Sequence, residues 1–276
     1  MEGWQRIIVL IIPYLFIAGI FQVFGGLIAG IDIADFESQK TSYQHLLISI
    51  FDLIGTFFVL WIFMKFVDKE HFIKLGFESK GKLKTFVIGI FIGLIIMTLA
   101  YLILIYLKEI FFIRINFQFR ELLVTIALYS IVAVVEETLF RGYILKNFMS
   151  SLNKYIALII SSILFSLMHC INPSINFFSL LDLFLAGIVL GLPYIYTKNL
   201  WFSIAMHLSW NLFQTLYGFN VSGLDTYSII EFRIIDANLI NGGAFGFEGS
   251  YLSIIAEILT LVGIEIYYKK TNHKYH

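Results

Sequence analysis

Long apolar runs alternate with short polar segments along almost the whole chain. A helix that crosses the hydrocarbon core of a bilayer needs roughly 20 predominantly apolar residues. The pattern predicts an all-α fold, a polytopic membrane protein with about eight transmembrane helices around a polar intramembrane cavity, forming one membrane-embedded domain over residues 1–276. The predicted spans cover residues 7–30, 45–66, 85–107, 121–147, 155–171, 178–197, 200–218 and 251–268.

Composition supports a membrane location. Hydrophobic residues make up 59% of the chain and charged residues 14%, and the mean hydropathy is +0.86. A soluble domain with a wet surface is not this apolar. The formal net charge is zero, so nothing in the composition indicates a nucleic-acid partner. The partner that composition does predict is the lipid bilayer.

The distribution of positive charge predicts an orientation. Fourteen of the 19 Lys and Arg residues lie at the two termini or around the connections after spans 2, 4 and 6, and the other five lie on the opposite side. Cytoplasmic connections carry the excess of Lys and Arg, so both termini are expected in the cytosol. High Ile and Phe content and the glycine-rich segment 241–250 favour a bacterial plasma membrane.

Two adjacent carboxylates and a guanidinium follow an uncharged apolar run. Residues 122–135 carry no formal charge, and Glu136, Glu137 and Arg141 come directly after them. Ionisable side chains at such depth cost several kcal/mol unless they are paired or lie in a wet cavity. Glu137 and Arg141 are four residues apart and can pair on one helix face. Glu136 points about 100° away, toward a neighbouring stripe.

Two later spans carry polar pairs with the same spacing. Phe165 and His169 lie in the fifth span, and His207 and Asn211 lie in the seventh. By helical rise, Glu136 lies about 15 Å from the cytosolic edge and His207 about 13 Å from it. The polar groups are therefore expected at compatible depths, in a site that opens toward the cytosolic half of the bilayer.

This set of residue types suits hydrolysis of a peptide bond. A carboxylate beside an imidazole can take a proton from water, which assigns Glu136 and His169 to water activation. Donors from an imidazole and a carboxamide can stabilise the resulting oxyanion, which assigns His207 and Asn211 to that role. Glu137 and Arg141 are expected to support the site.

Three motifs follow one another on separate membrane helices: Glu136-Glu137-x-x-x-Arg141, Phe165-x-x-x-His169 and His207-x-x-x-Asn211. This ordered set resembles the CAAX protease and bacteriocin-processing family of intramembrane glutamic endopeptidases, which includes the type II CAAX prenyl endopeptidase. The resemblance covers a motif core at about residues 120–215. It implies a helical membrane protease that uses no metal or other cofactor and cleaves a membrane-associated peptide or protein.

Carried over by position, the resemblance assigns the role of general base to the first motif glutamate. The catalytic set is then Glu136, His169, His207 and Asn211, and the supporting set is Glu137, Arg141 and Phe165.

Three other functions remain open from the residues. A zinc protease of the His-Glu-x-x-His type lacks its motif here, although His169, His207 and a glutamate can form a two-His, one-carboxylate set. A proton-coupled transporter also uses buried Glu, Arg and His, but the chain shows no second copy of the Glu-Glu motif. A non-catalytic scaffold or bacteriocin-immunity protein can keep the same residues without turnover.

Overall fold

The computed structural model describes residues 1–32 and 40–272, the side chains of 271 and 272 excepted. Lys274, one of the predicted cytosolic charges, lies outside the described residues. The α-helices of the described part are α1 (Gly3–Ile28), α2 (Ser42–Ile62), α3 (Leu83–Tyr106), α4 (Phe119–Glu137), α5 (Lys146–Met149), α6 (Lys154–Met168), α7 (Phe177–Thr197), α8 (Trp201–Leu216) and α9 (Tyr251–Asn272).

The predicted polytopic all-α architecture is confirmed. Within the described ranges, six helical segments are long and apolar enough to cross a membrane, and each coincides with a predicted span. The fifth and seventh predicted spans are α6 and α8, which are shorter, with 15 and 16 residues. These two short helices carry Phe165, His207 and Asn211, and His169 directly follows the end of α6.

A small antiparallel ribbon was not predicted from the sequence. Strands β1 (Ile110–Ile115) and β2 (Ile230–Ile234) pair in the connections after α3 and α8. Arg114 Nε donates to Glu231 Oε2 at 2.7 Å, and this hydrogen bond holds the pKa of Glu231 below its usual value. The pairing joins segments more than 100 residues apart, so no local pattern in either one reveals it.

Close contact between α3 and α8 depends on two glycines one helical turn apart. A Cβ atom on Gly89 would lie 2.9 Å from the Cβ atom of Ala205, and one on Gly93 would lie 2.5 Å from Ser209 Oγ. Small residues at this spacing let membrane helices approach closely, since lipid chains supply no hydrophobic force between helices. The α3 helix therefore fixes the position of α8, which carries His207.

Replacing Gly93 with valine should force α8 away from α3. We expect a lower midpoint of thermal unfolding in detergent, in line with the roughly 1–3 kcal/mol that overpacking costs in tight cores. Gly263→Val is the matched control, because a Cβ atom at Gly263 meets nothing within 4 Å. Equal midpoints for the two variants would contradict the close-packing account.

Candidate active site

The paired glutamates lie at the end of α4, where the helix continues without a break but changes its winding. Residues Thr138–Leu145 form a π-helical segment that leads into α5. Such widened turns often occur at functional sites. Every residue of this segment is buried, so Arg141 is carried inside the protein rather than into lipid.

A buried ion cluster joins three helical segments. Arg141 Nη1 donates to Glu137 Oε1 at 3.0 Å, which is the pairing predicted from the sequence. Arg141 Nη2 donates to the carbonyl oxygen of Gly187 in α7 at 3.0 Å. His207 Nδ1, from α8, lies 2.9 Å from the same Glu137 oxygen. Glu137 is fully buried, and its bond to His207 was not predicted.

The ring of Phe165 fills the space between the charged groups. The Arg141 guanidinium carbon lies 4.5 Å from the ring centroid, within the range of a cation–π contact. The same ring centroid lies 4.9 Å from that of His169 and 6.3 Å from that of His207. Phe165 therefore packs against the arginine and both imidazoles. These contacts explain why a phenylalanine at this motif position supports the site.

Glu136 faces both imidazoles across a short gap. Its Oε2 atom lies 3.9 Å from His169 Nε2 and 3.9 Å from His207 Nε2. These separations are longer than a direct hydrogen bond. A water molecule bound to the carboxylate and to a ring nitrogen fits such a gap. The Glu136 side chain remains 26% exposed, whereas Glu137 is 0% exposed, so the two adjacent glutamates occupy different environments.

His169 is the first residue beyond α6 rather than part of the helix. Its Nδ1 atom lies 2.8 Å from the carbonyl oxygen of Phe165. A carbonyl oxygen only accepts, so the hydrogen resides on Nδ1, and the Nε2 atom of the neutral ring presents a lone pair toward Glu136. The four-residue spacing of Phe165 and His169 thus places a backbone acceptor where it orients the imidazole.

These groups line a cavity of about 440 Å³. Glu136, His169, His207 and Asn211 all contribute to its wall, so the structure brings the four predicted catalytic residues to one cavity. The volume lies in the range usual for ligand sites. Among the described residues, no group of three or more His, Cys, Asp or Glu side chains is arranged to hold a metal ion.

The cavity reaches the helix ends on the side opposite the termini. Its wall includes Asn172 and Ile171 just after α6, and Ser222 and Thr226 just after α8. Ile171 is 93% exposed, and this end of the cavity is called its mouth below. An opening at these helix ends does not fit cytosolic termini and a cytosolic opening together, which are the two expectations from the sequence. The helical rise gave the depth of the site, but depth alone does not determine which helix ends surround the opening.

Several acidic groups of the cavity were missed in the sequence. Asp52, Glu248 and Glu257 also line it. A signal for Asp52 exists, because His45, Ser49, Asp52 and Thr56 form a polar stripe along one face of the second predicted span. Glu248 and Glu257 come together with the site only through tertiary packing, which no spacing within their own segment predicts.

The central segment matches a known family. Residues 118–213 match the model of the type II CAAX prenyl endopeptidase Rce1-like family. Over this segment the chain is similar to the CAAX protease family. The matched range contains every sequence-predicted site residue and spans about a third of the 276-residue chain.

No curated protein and no solved structure matches the chain. The similarity to the CAAX protease family therefore rests on the family model together with the motifs it spans. An integral membrane protein with a protease-family core follows from this match and from the apolar helices.

Replacing Glu137 with glutamine should destabilise the protein, because Arg141 would lose the charge that compensates it in the interior. Breaking one side of a buried ion pair costs about 3–5 kcal/mol. We expect a markedly lower midpoint of thermal unfolding in detergent. Glu136→Gln is the control and should unfold near the wild-type midpoint, since Glu136 is partly exposed and has no described cationic partner of Lys or Arg type.

A double variant tests whether the loss of stability comes from the uncompensated charge of Arg141 or from the change in side-chain shape at residue 137. Glu137→Gln combined with Arg141→Met removes both charges and should recover part of the lost stability. If the double variant is no more stable than Glu137→Gln alone, the ion pair is not the source of the loss.

Proposed function

We propose that this protein is an intramembrane glutamic endopeptidase that hydrolyses a peptide bond of a membrane-associated peptide or protein, with no metal ion. The observation that supports this most is the position of the Glu136 carboxylate, 3.9 Å from two imidazole nitrogens and at the wall of an accessible cavity. The match to a protease family supports a protease over a transporter. A scaffold or immunity role remains the alternative outcome of the tests below.

In the proposed first step, Glu136 takes a proton from a water molecule, and the water oxygen attacks the carbonyl carbon of the scissile bond. His169 accepts a hydrogen bond from the same water through Nε2 and orients it. The carbonyl oxygen becomes an oxyanion, and the proton held by Glu136 then passes to the departing amine. Every step uses groups of this chain and the water that is consumed.

In the same proposal, the oxyanion lies against α8, between the His207 imidazole and the Asn211 carboxamide. The His207 ring donates Nδ1–H to Glu137, so its Nε2 atom is a donor only when the ring is doubly protonated. With that ring charged, Glu136, Glu137, Arg141 and His207 together carry no net charge. A neutral set of this kind lowers the free-energy cost of holding four ionised groups at membrane depth.

The proposed sidedness follows from the cavity mouth and the charge distribution together. With the Lys-rich and Arg-rich connections in the cytosol, the mouth faces the extracytoplasmic side of a bacterial plasma membrane. The substrate would then be cleaved from that side.

Catalysis is tested with purified protein in liposomes and a library of peptides that carry one apolar membrane-anchoring segment, with products read by mass spectrometry. Glu136→Gln should lower cleavage by about 10²–10⁴-fold, the usual contribution of a general base. Asn211→Ala should lower it by about 10²–10³-fold through the lost oxyanion donor. Glu121→Gln, a charge-matched change outside the cavity, should leave cleavage unaltered.

Three results would contradict the catalytic proposal. Near wild-type cleavage by purified Glu136→Gln would remove this residue from the mechanism. Inhibition by a chelator that added zinc reverses would replace it with metal-assisted chemistry. A cellular phenotype that persists in Glu136→Gln, without any cleavage by the wild type, would favour the scaffold.

Sidedness is tested through Cys170, the single cysteine, which is exposed next to His169 at the cavity mouth. A membrane-impermeant maleimide should label it in intact cells. In a Cys170→Ser background, Ser79→Cys lies in the connection after α2, on the other side, and should react only after lysis. The reverse labelling pattern would place the mouth in the cytosol.

A further inference from the structure

A polar stripe on α2 forms the wall of the cavity away from the catalytic helices. His45, Ser49 and Asp52 recur at helical spacing and all line the cavity. A carboxylate in a membrane span is costly when it faces lipid. Here it lines the cavity in which the proposed reaction takes place, so an occupant of that cavity would meet it.

Asp52 is held in one orientation by neutral partners. Its Oδ1 atom accepts a hydrogen bond from Gln22 Nε2 of α1 at 2.9 Å and one from Thr56 Oγ1 at 3.4 Å. The hydroxyl groups of Tyr14 and Thr56 lie 3.3 Å apart and extend this network. None of these partners carries a positive charge, so the network orients the carboxylate without compensating its charge.

The side chains that line the cavity include more acids than cations. Four carboxyl side chains line it, and no Lys or Arg of the described residues does. Glu136 is assigned to catalysis, and Glu248 accepts hydrogen bonds from the backbone and the hydroxyl of Ser222. Glu257 is only 2% exposed. Asp52, which is half-buried, is therefore the carboxylate that remains accessible for a ligand.

From this arrangement we propose that Asp52 determines substrate specificity by binding the side chain of a lysine or arginine in the peptide to be cleaved. The inference rests on the proposed endopeptidase function and adds a substrate class to it. A cationic side chain would compensate the carboxylate in a partly desolvated cavity, where a charge-assisted hydrogen bond is strong. The apolar parts of the same wall would contact the methylene groups of the side chain.

Binding is measured first, with the inactive Glu136→Gln protein in uncharged phosphatidylcholine liposomes. The probes are fluorescent apolar peptides that are identical except for one scanned position, which holds lysine, norleucine or glutamate. At one or two positions, lysine should strengthen binding about tenfold over norleucine, a modest effect for a close charge pair. Asp52→Asn should abolish this difference, whereas Glu121→Gln should preserve it.

Reversing the charge at residue 52 distinguishes a change of specificity from a loss of folding, because an unfolded protein would prefer neither peptide. Asp52→Lys should prefer the glutamate peptide at the same position, and its thermal midpoint is recorded alongside. Wild-type cleavage of the same peptides should show the lysine preference mainly in KM, because Asp52 does not touch the reacting atoms.

The two proposals can fail separately. Equal binding and cleavage of lysine and norleucine peptides at every position would overturn the role of Asp52 while leaving the endopeptidase intact. In the other case, binding favours lysine and depends on Asp52, but the wild-type protein cleaves no peptide. This result would overturn the endopeptidase function and leave the binding site intact.

Discussion

The rest of the structure depends on one constraint: a fully buried glutamate must be compensated inside a membrane protein. Glu137 meets this requirement with Arg141 from its own helical segment and His207 from α8. Arg141 in turn contacts the backbone of α7 at Gly187. Charges at this depth are expensive alone and strongly attractive in pairs. The cluster thus ties three helical segments to one another at the level where Glu136 enters the cavity.

The surrounding elements hold this cluster in place. The π-helical turns after α4 keep Arg141 in the interior, and the ring of Phe165 covers it. The contact of α3 with α8 at Gly93 sets the position of the helix that carries His207. Because each imidazole also has an oriented Nδ1 partner, both Nε2 atoms point toward the Glu136 carboxylate.

Local patterns in the sequence predict the long helices and one ion pair of the site. Contacts between distant segments are not predicted by such patterns. Apolar run length is a local property, so it located the six long apolar helices of the described residues. The four-residue spacing of Glu137 and Arg141 is also local, and their pair was predicted correctly. The bond from His207 to Glu137 joins different helices, so no spacing within either helix predicts it.

Features that depend on contacts between distant segments could not be predicted from local sequence patterns. The β1–β2 ribbon pairs segments that are distant in sequence, and the acids Glu248 and Glu257 reach the cavity only through the fold. The direction of the cavity mouth depends on which helix ends surround it. An estimate of depth from the helical rise does not identify those helix ends. Asp52 is different, because its spacing with His45, Ser49 and Thr56 forms a polar stripe on α2 that the sequence alone shows.

The most direct test of the central claim is a high-resolution electron cryomicroscopy map of the protein in a lipid nanodisc. The account predicts Arg141 and His207 both bound to Glu137, and a water molecule within hydrogen-bond distance of Glu136 and of at least one imidazole Nε2 atom. A map in which the Glu136 side chain points toward lipid, or in which His207 is separated from Glu137, would contradict it.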